Sequence, residues 1–301
     1  MLVNIALLLA MSLAWAGNYL FISWADHGLP PVTASAAMTA AASLFLAAGV
    51  GLGLRRPLLA ALRRRPLALV VMGATAVALP QLSVVAAEDA IPPELSSVIG
   101  TTVPILTFLV AAFLLHTRRA RPLNLLGLAV AVGGIFLFCG GGALSRQPAE
   151  LDAVAIMMAG GAVFVFNGLF AVRYTKDLDQ EVVTLWVMVF ATGGLALGAL
   201  AVEGLPPAMP SAAGLAGIAL AGIVGMGLAF LLYYRLIARA GAAFTSLYAF
   251  LVPPLGVLVA VLAGDREMLG RHLAGVAVVV VGLVLLLRSS AAIEPTVGTD
   301  R

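Results

Sequence analysis

Long apolar runs separated by short polar clusters dominate this chain. The runs break where Arg, Asp, Glu, Pro and Gly gather, and each is close to the ~20 residues with which an α-helix crosses a bilayer. They are too long and unbroken for the alternating strands of a membrane barrel. The pattern predicts an all-α integral membrane protein with ten transmembrane helices, at about 3–24, 31–54, 66–87, 94–115, 122–140, 151–172, 181–202, 212–237, 240–263 and 271–288.

An internal repeat underlies these helices. The stretch SSVIGTTVPILTFLV at Ser96–Val110 is echoed by TSLYAFLVPPLGVLV at Thr245–Val259, 149 residues later, so that Pro104 falls on Pro253. A charged turn and a glycine-punctuated apolar helix follow each copy. Such self-similarity indicates a duplicated unit. We expect two five-helix repeats, 1–142 and 143–288, followed by a disordered cytoplasmic tail, 289–301.

The charges predict how the helices are oriented. If the N-terminus is cytoplasmic, 14 of the 17 Lys and Arg residues lie on the cytoplasmic side, as the positive-inside rule requires. Both termini are then cytoplasmic. Because five is an odd number of helices, the second repeat enters the membrane from the opposite side and is inverted. Inverted repeats are typical of secondary transporters, whose substrate site lies near the bilayer midplane between the repeats.

Composition supports a membrane protein and limits its partners. Hydrophobic residues make up 62% of the 301 residues, charged residues 10%, and the mean hydropathy is +1.10. A soluble domain contains roughly 25% charged residues. The formal net charge of +3 comes from basic residues at helix ends, so it does not indicate nucleic acid binding. The expected partners are membrane lipid and a small-molecule substrate, and no obligate protein partner is indicated.

Catalytic and metal-binding patterns are not found in the sequence. His27, His116 and His272 lie at separate helix ends and loops, the single Cys139 cannot form an intramolecular disulfide, and no GxxxxGK[ST] phosphate-binding loop occurs. We therefore predict no catalytic residue, no metal and no cofactor. The predicted helix centres also lack Asp, Glu, Lys and Arg, which are usually functional when they occur inside a membrane. An uncharged cavity is favoured over a phosphate-binding or proton-coupled one.

Amides, hydroxyls and aromatic rings inside the helices are the candidates for the substrate cavity. Trp15, Asn18 and Tyr19 share one face of the first helix, and Asn167 occupies the place of Asn18 in the second repeat. A buried amide needs a polar partner, either in a cavity or on a neighbouring helix. The cavity candidates are Trp15, Asn18, Tyr19, Gln81, Ser97, Thr101, Phe166, Asn167, Trp186, Tyr234, Ser246 and Tyr248.

The two repeated prolines are candidate hinge or gate residues. A proline inside a helix removes one backbone hydrogen bond and frees a carbonyl one turn earlier. At Pro104 and Pro253 the freed carbonyls could receive an ammonium group, while aromatic faces hold it or an apolar side chain. The alternative is a kink that only shapes helix packing.

These features resemble a known transporter family. Two five-helix repeats, the sequence Trp-Ala-Gly-Asn at 15–18 and the stretches SSVIGTTVP and TSLYAFLVP look like an EamA-type member of the drug/metabolite transporter superfamily, over residues 3 to about 288. Within it the chain looks most like the YddG-type exporters of aromatic and other neutral amino acids. The resemblance implies metabolite efflux across the bacterial inner membrane through a cavity at the centre of the bundle.

Three functions are therefore considered. The first is a secondary transporter that exports amino acids or similar small amphipathic metabolites by alternating access. The second is an efflux transporter of the same superfamily for drugs and hydrophobic cations. The third is an intramembrane lipid-modifying enzyme, which would require a cluster of His, Asp, Glu or Arg near one interface. Because the charged residues are scattered along the sequence, we expect a transporter and not an enzyme.

Overall fold

The computed structural model describes residues 2–25, 29–53, 58–87, 90, 99–100, 102–110, 122–138, 148–206, 209–262 and 267–291. All regular structure in these residues is helical, which confirms the all-α prediction. The described helices are α1 (Leu2–Ala25), α2 (Pro31–Gly53), α3 (Leu58–Arg64), α4 (Pro66–Ala87), α5 (Thr102–Leu109), α6 (Pro122–Phe138), α7 (Pro148–Tyr174), α8 (Gln180–Val202), α9 (Ala212–Ala240), α10 (Ala242–Thr245), α11 (Tyr248–Leu262) and α12 (Glu267–Ala291).

The described helices include six that are long and apolar enough to cross a membrane: Pro31–Gly49, Pro66–Ala87, Leu151–Tyr174, Gln180–Val202, Ala212–Ala240 and Ala242–Val259. Three shorter apolar helical stretches add to them: Leu2–Asn18, Pro122–Phe138 and His272–Leu286. The predicted span 94–115 lies only partly within the described residues, as α5. The count of ten therefore stays a prediction. Helix α12 ends at Ala291, and the rest of the predicted tail lies outside the described residues.

Local sequence explains where the helices begin. Asp179 precedes α8, and its carboxylate accepts a hydrogen bond of 3.0 Å from the backbone N–H of Glu181. Ser211 caps α9 in the same way, with its hydroxyl 3.0 Å from the N–H of Gly214. A proline suits the first position of a helix because that N–H has no partner in the helix anyway. Four of the described helices begin with one: Pro31, Pro66, Pro122 and Pro148.

Among the described residues, α4 and α9 contain π-helical turns at corresponding places. In α4 the turn covers Ala74–Ala78, and in α9 it covers Ala221–Leu228, about 149 residues later. Pro80 follows the first turn and has no N–H to complete the ordinary α-helical pattern. Turns of this kind occur frequently at functional sites. The two halves therefore share irregular backbone features as well as sequence similarity.

Helices α6 and α12 pack through glycines with their chains in opposite directions. A β-carbon on Gly127, near the start of α6, would lie 3.0 Å from the backbone nitrogen of Leu286, near the end of α12. A β-carbon on Gly275 would lie 2.6 Å from the Cβ of Phe138, at the end of α6. Adding 148 to Gly127 gives Gly275, and adding 148 to Phe138 gives Leu286. The two contacts are thus images of each other.

Two further glycines make matching contacts, at an offset of 149 residues. A β-carbon on Gly73 of α4 would lie 2.6 Å from the Cβ of Phe190 on α8. A β-carbon on Gly222 of α9 would lie 2.7 Å from the Cβ of Ala41 on α2. Phe190 and Ala41 also differ by 149. Small residues let helix backbones approach closely in a membrane, and here they do so at equivalent places in the two halves.

The first helix of each half reaches across to the other half. Helix α1 packs on α9 and α11 of the second half, and α7 packs on α4 and α5 of the first half. The buried apolar residues form one large cluster that includes side chains from both halves. The centre of this cluster is aromatic, and it contains the candidate site.

Candidate functional site

Five aromatic side chains from both halves meet between α1, α7, α9 and α11. We call them the aromatic cluster: Trp15, Phe164, Phe230, Tyr233 and Tyr248. The ring centroid of Trp15 lies 4.4 Å from that of Tyr248, 5.5 Å from that of Phe230 and 5.9 Å from that of Tyr233. Most of the pairs are tilted or edge-to-face, the arrangement that aromatic quadrupoles favour.

Local structure explains how α9 and α11 supply three of these rings. Phe230 and Tyr233 are three residues apart on α9, so they lie on one face of the helix. The chain then turns at Gly241, whose φ of 80° suits a residue without a β-carbon. A short helix and a break at Ser246 follow, so Tyr248 is presented at the first residue of α11. The break falls within the repeated stretch that the sequence pattern singles out.

A small cavity adjoins the aromatic cluster. Its lining residues are Val103, Thr107, Phe164, Val165, Gly168, Tyr233, Ala242, Ser246 and Tyr248. The volume open to the centre of a water molecule is about 10 Å³, which is room for roughly one water. Typical ligand pockets are far larger, at roughly 300–1,000 Å³. Admitting even a small metabolite therefore requires the surrounding helices to move apart.

The polar groups of this cavity are hydroxyls. Thr107 donates a hydrogen bond of 2.7 Å to the carbonyl of Val103, and Ser246 donates one of 3.1 Å to the carbonyl of Ala243. Both hydroxyl oxygens can still accept a hydrogen bond from a ligand. Asp, Glu, Lys and Arg are all missing from the nine lining residues. The cavity therefore suits a ligand that brings its own donors and apolar surface.

Asn167 is fully buried and joins three helices. Its Nδ2 lies 3.3 Å from the carbonyl oxygen of Met72 and 3.2 Å from the hydroxyl oxygen of Thr75, both on α4. The Tyr234 hydroxyl of α9 donates a bond of 3.1 Å to its Oδ1. Thr75 in turn donates to the carbonyl of Val71 over 2.7 Å. The sequence leaves open whether this amide faces a cavity or bonds to a neighbouring helix. In the structure Asn167 bonds to neighbouring helices.

Asn18 differs from Asn167, although the two correspond in the repeat. It is 8% exposed and packs against Gly225 in the π-helical turn of α9. Within the described residues its Oδ1 is buried without a hydrogen-bond partner. Leaving a buried amide oxygen unpaired is costly, so this atom is ready to accept a donor.

The structure separates several other predicted residues from the aromatic cluster. Phe166 faces outward and is 49% exposed, because it is two residues from Phe164 and lies on another face of α7. The Trp186 ring N–H donates to the carbonyl of Leu58 over 2.9 Å, which ties α8 to α3. Gln81 is half-buried on α4.

Of the remaining predicted residues, the structure describes only the two prolines in full. Pro104 is buried in α5, and Pro253 lies half-buried inside α11. The helix of Tyr19 is described but its side chain is not, and Ser97 and Thr101 lie outside the described residues. Trp15, Ser246 and Tyr248 are the predicted residues that the structure places at the aromatic cluster and its cavity, and Asn167 and Tyr234 contact each other.

Sequence patterns alone do not distinguish the residues that complete the cavity. Tyr233 lines the cavity. The predicted residue Tyr234, one position further along the helix, donates a hydrogen bond to Asn167 instead. Nothing in the sequence marks Thr107 and Gly168 as cavity residues, because small or polar residues are common in its apolar helices. The i, i+3 spacing of Phe230 and Tyr233 is the one sequence feature that indicates a shared aromatic face.

The ion pairs among the described residues join groups near helix ends and connecting segments. Arg235 pairs with Glu181, and Arg65 lies 3.4 Å from Asp177. The described residues include no group of three His, Cys, Asp or Glu side chains that could hold a metal ion. The geometry at the centre is therefore suited to binding a ligand through aromatic faces and hydroxyls.

Comparison with known proteins identifies the family. The model of the EamA-like transporter family matches residues 2–140 and 152–288, which is most of the chain. The chain belongs to the EamA-like transporter family. The resemblance to EamA-type members of the drug/metabolite transporter superfamily is thereby confirmed. The family relationship indicates a transporter rather than an enzyme.

Individual relatives agree with this assignment. The protein named uncharacterized inner membrane transporter YedA, from Escherichia coli (strain K12), is 25% identical over 286 residues, which cover 93% of this chain and 89% of YedA. YedA from the strains O6:H1 and O157:H7 matches to the same extent. This EamA-like transporter is thus a multi-pass inner-membrane protein. A crystal structure of a protein 20% identical to it shows the same fold, with a TM-score of 0.79 over 97% of this chain and 98% of that one.

Proposed function

We propose that this EamA-like transporter exports amino acids or similar small amphipathic metabolites by alternating access. The observation that carries the proposal is the aromatic cluster with its adjoining cavity, because its rings come from both halves of the chain. A site built between two halves changes its access when the halves move relative to each other. The nearly closed cavity is then one state of the cycle.

Inverted repeats support alternating access. The glycine contacts of α6 and α12 run in opposite chain directions and repeat at a constant offset. The hydroxyl oxygens of Ser43 and Thr192, which are 149 residues apart, lie 3.4 Å from each other, so equivalent residues of the two halves meet. These contacts are what a pseudo-two-fold axis in the membrane plane produces. With 14 of 17 basic residues on one side, we propose cytoplasmic N- and C-termini.

The chemistry of the cavity favours a neutral, partly apolar substrate. Aromatic faces bind an apolar side chain, and they attract an ammonium group by cation–π interaction. The hydroxyl oxygens of Thr107 and Ser246 offer acceptors for the same ammonium group. A neutral amino acid carries both features, and its transport would place the protein with the YddG-type exporters. The same aromatic faces also favour the second candidate, an apolar organic cation without a carboxylate.

Uptake into proteoliposomes tests the proposal. Purified protein should transport labelled phenylalanine, methionine or threonine, and Trp15→Ala and Tyr248→Ala should reduce that flux at least tenfold, since each removes an aromatic face. Phe166→Ala is the matched control, because this aromatic side chain faces outward, and it should retain the flux. Ethidium transport without amino acid flux would establish the organic-cation exporter instead. Unchanged flux in both cluster variants would overturn the site.

A further inference from the structure

The Asn167 contacts connect the two halves of the transporter at a buried place outside the cavity. Asn167 belongs to the second half, whereas Met72 and Thr75, which it binds at 3.3 and 3.2 Å, belong to the first. Both partners flank the start of the π-helical turn Ala74–Ala78. Any movement of α7 away from α4 must therefore break these bonds.

The equivalent place in the other half is built from the same elements but lacks the hydroxyl groups that pair with Asn167. Asn18 corresponds to Asn167 at an offset of 149 residues and packs on the π-helical turn of α9 at Gly225. The positions equivalent to Thr75 and Tyr234 are Val224 and Val85, whose side chains cannot form hydrogen bonds. Among the described atoms the Asn18 Oδ1 has no partner. One half thus holds an amide whose oxygen is paired, and the other an amide whose oxygen is unpaired among the described atoms.

The two amides lie on opposite sides of the bundle centre. Asn167 is seven residues before the end of α7 at Tyr174, and Asn18 is seven residues before the end of α1 at Ala25. If the N-terminus is cytoplasmic, α1 ends at the outer surface and α7 ends at the inner surface. Asn167 then lies in the inner half of the membrane and Asn18 in the outer half.

We propose that Asn167 is an inner latch, which holds the cytoplasmic side closed in this structure, and that Asn18 is the outer latch of the alternate state. The proposal rests on the alternating access proposed above. When the halves rock, Asn167 releases α4 while Asn18 gains bonds from α9. Because Val224 and Val85 replace the hydroxyl groups, the outer latch is the weaker one. The resting transporter therefore favours the state with the inner side closed.

Access to the cavity from each side tests the latches without any transport measurement. The reporter is Ser246→Cys in a protein whose Cys139 is replaced by serine. A membrane-impermeant thiol reagent is applied to inside-out and right-side-out vesicles, and the ratio of the two labelling rates is measured. Thr75→Val and Tyr234→Phe each remove one hydrogen bond of the inner latch. Each should raise labelling from the cytoplasmic side, relative to the outer side, by about two- to tenfold, the ratio expected for one hydrogen bond.

The reverse design strengthens the outer latch. Val224→Thr copies Thr75 into the second half, offers the Asn18 amide the threonine hydroxyl that Asn167 has, and should also raise labelling from the cytoplasmic side. Thr184→Val is the matched control, because Thr184 is a buried threonine that donates only to the Gln180 carbonyl of its own helix, over 2.6 Å. It should leave the ratio unchanged.

The outcomes separate the latch from the transport function. If Thr75→Val, Tyr234→Phe and Val224→Thr all leave the labelling ratio at its original value, the latch is wrong even where proteoliposomes transport amino acids. If the reporter cysteine reacts from neither side, the alternating access on which the latch rests is wrong. A shifted ratio in a protein that transports none of the tested amino acids would support the latch and overturn only the substrate assignment.

Discussion

At the level of single side chains, partly and fully buried polar groups form hydrogen bonds that join distant parts of the chain. Glu203, just after α8, illustrates this. Its carboxylate accepts hydrogen bonds from the backbone N–H of Val32 at 2.7 Å, from that of Thr33 at 2.8 Å, and from the Thr33 hydroxyl at 2.7 Å. It thus caps α2 from another helix and carries a negative charge to the positive end of that helix.

Removing this cap should destabilise the protein. We expect Glu203→Ala to lower the free energy of unfolding by about 1–3 kcal/mol, because the first N–H groups of α2 lose their acceptor. The measurement is thermal or denaturant unfolding in detergent. Asp152→Ala removes an exposed carboxylate from α7 and serves as the control, with little change expected. Equal stability of the two variants would contradict the role given to Glu203.

The side chains that line the central cavity indicate whether transport is coupled to protons. None of its described lining residues carries an ionisable carboxylate or amine, so these residues offer a proton no acidic or basic group to bind between pH 5 and 8. We therefore expect substrate flux in proteoliposomes to respond little to a pH gradient imposed across the membrane. Accumulation that follows the pH gradient would place a coupling group elsewhere in the chain.

At the level of helices, glycines at close crossings hold the two halves together. Helices α4 and α9 present Gly73 and Gly222 to equivalent helices of the opposite half. Sequence patterns identify these helices as rich in small residues. They do not reveal which glycine lies at the crossing, since this depends on how each helix is rotated about its axis, and neighbouring helices set that rotation.

Alanine substitution distinguishes crossing glycines from the others. In a helix interior, Gly→Ala normally stabilises by about 0.5–1 kcal/mol. At Gly73 and Gly222 we expect the opposite sign, because the new methyl group would overlap Phe190 or the α2 helix. Gly193→Ala is the control, since nothing lies within 4 Å of its β-carbon position on α8. Unfolding in detergent should rank both crossing variants below the control; any other order would contradict the packing.

At the level of the whole molecule, the orientation in the membrane follows from charge counts rather than from contacts. Interior packing is the same whichever way the bundle faces, whereas Lys and Arg near the helix ends bias insertion. We expect a phosphatase reporter that is active only in the periplasm to be inactive when fused after Arg301 and active when fused within 88–94. A cytoplasmic fluorescent reporter at the same two places is the control. The reverse pattern would overturn the proposed orientation and the inner position of Asn167.

Helical fold, membrane location, internal repeat and family were all predictable from the sequence, because they depend on the length, apolarity and spacing of local segments. Even the pairing of Asn18 with Asn167 is a matter of spacing. The tertiary structure decided how each helix is rotated about its axis. This rotation matters because adjacent side chains on a helix point about 100° apart. It therefore placed Tyr233 in the cavity and Tyr234 against Asn167, turned Phe166 outward, and gave one of two equivalent amides its partners. Those choices depend on contacts between distant parts of the chain, which no local pattern contains.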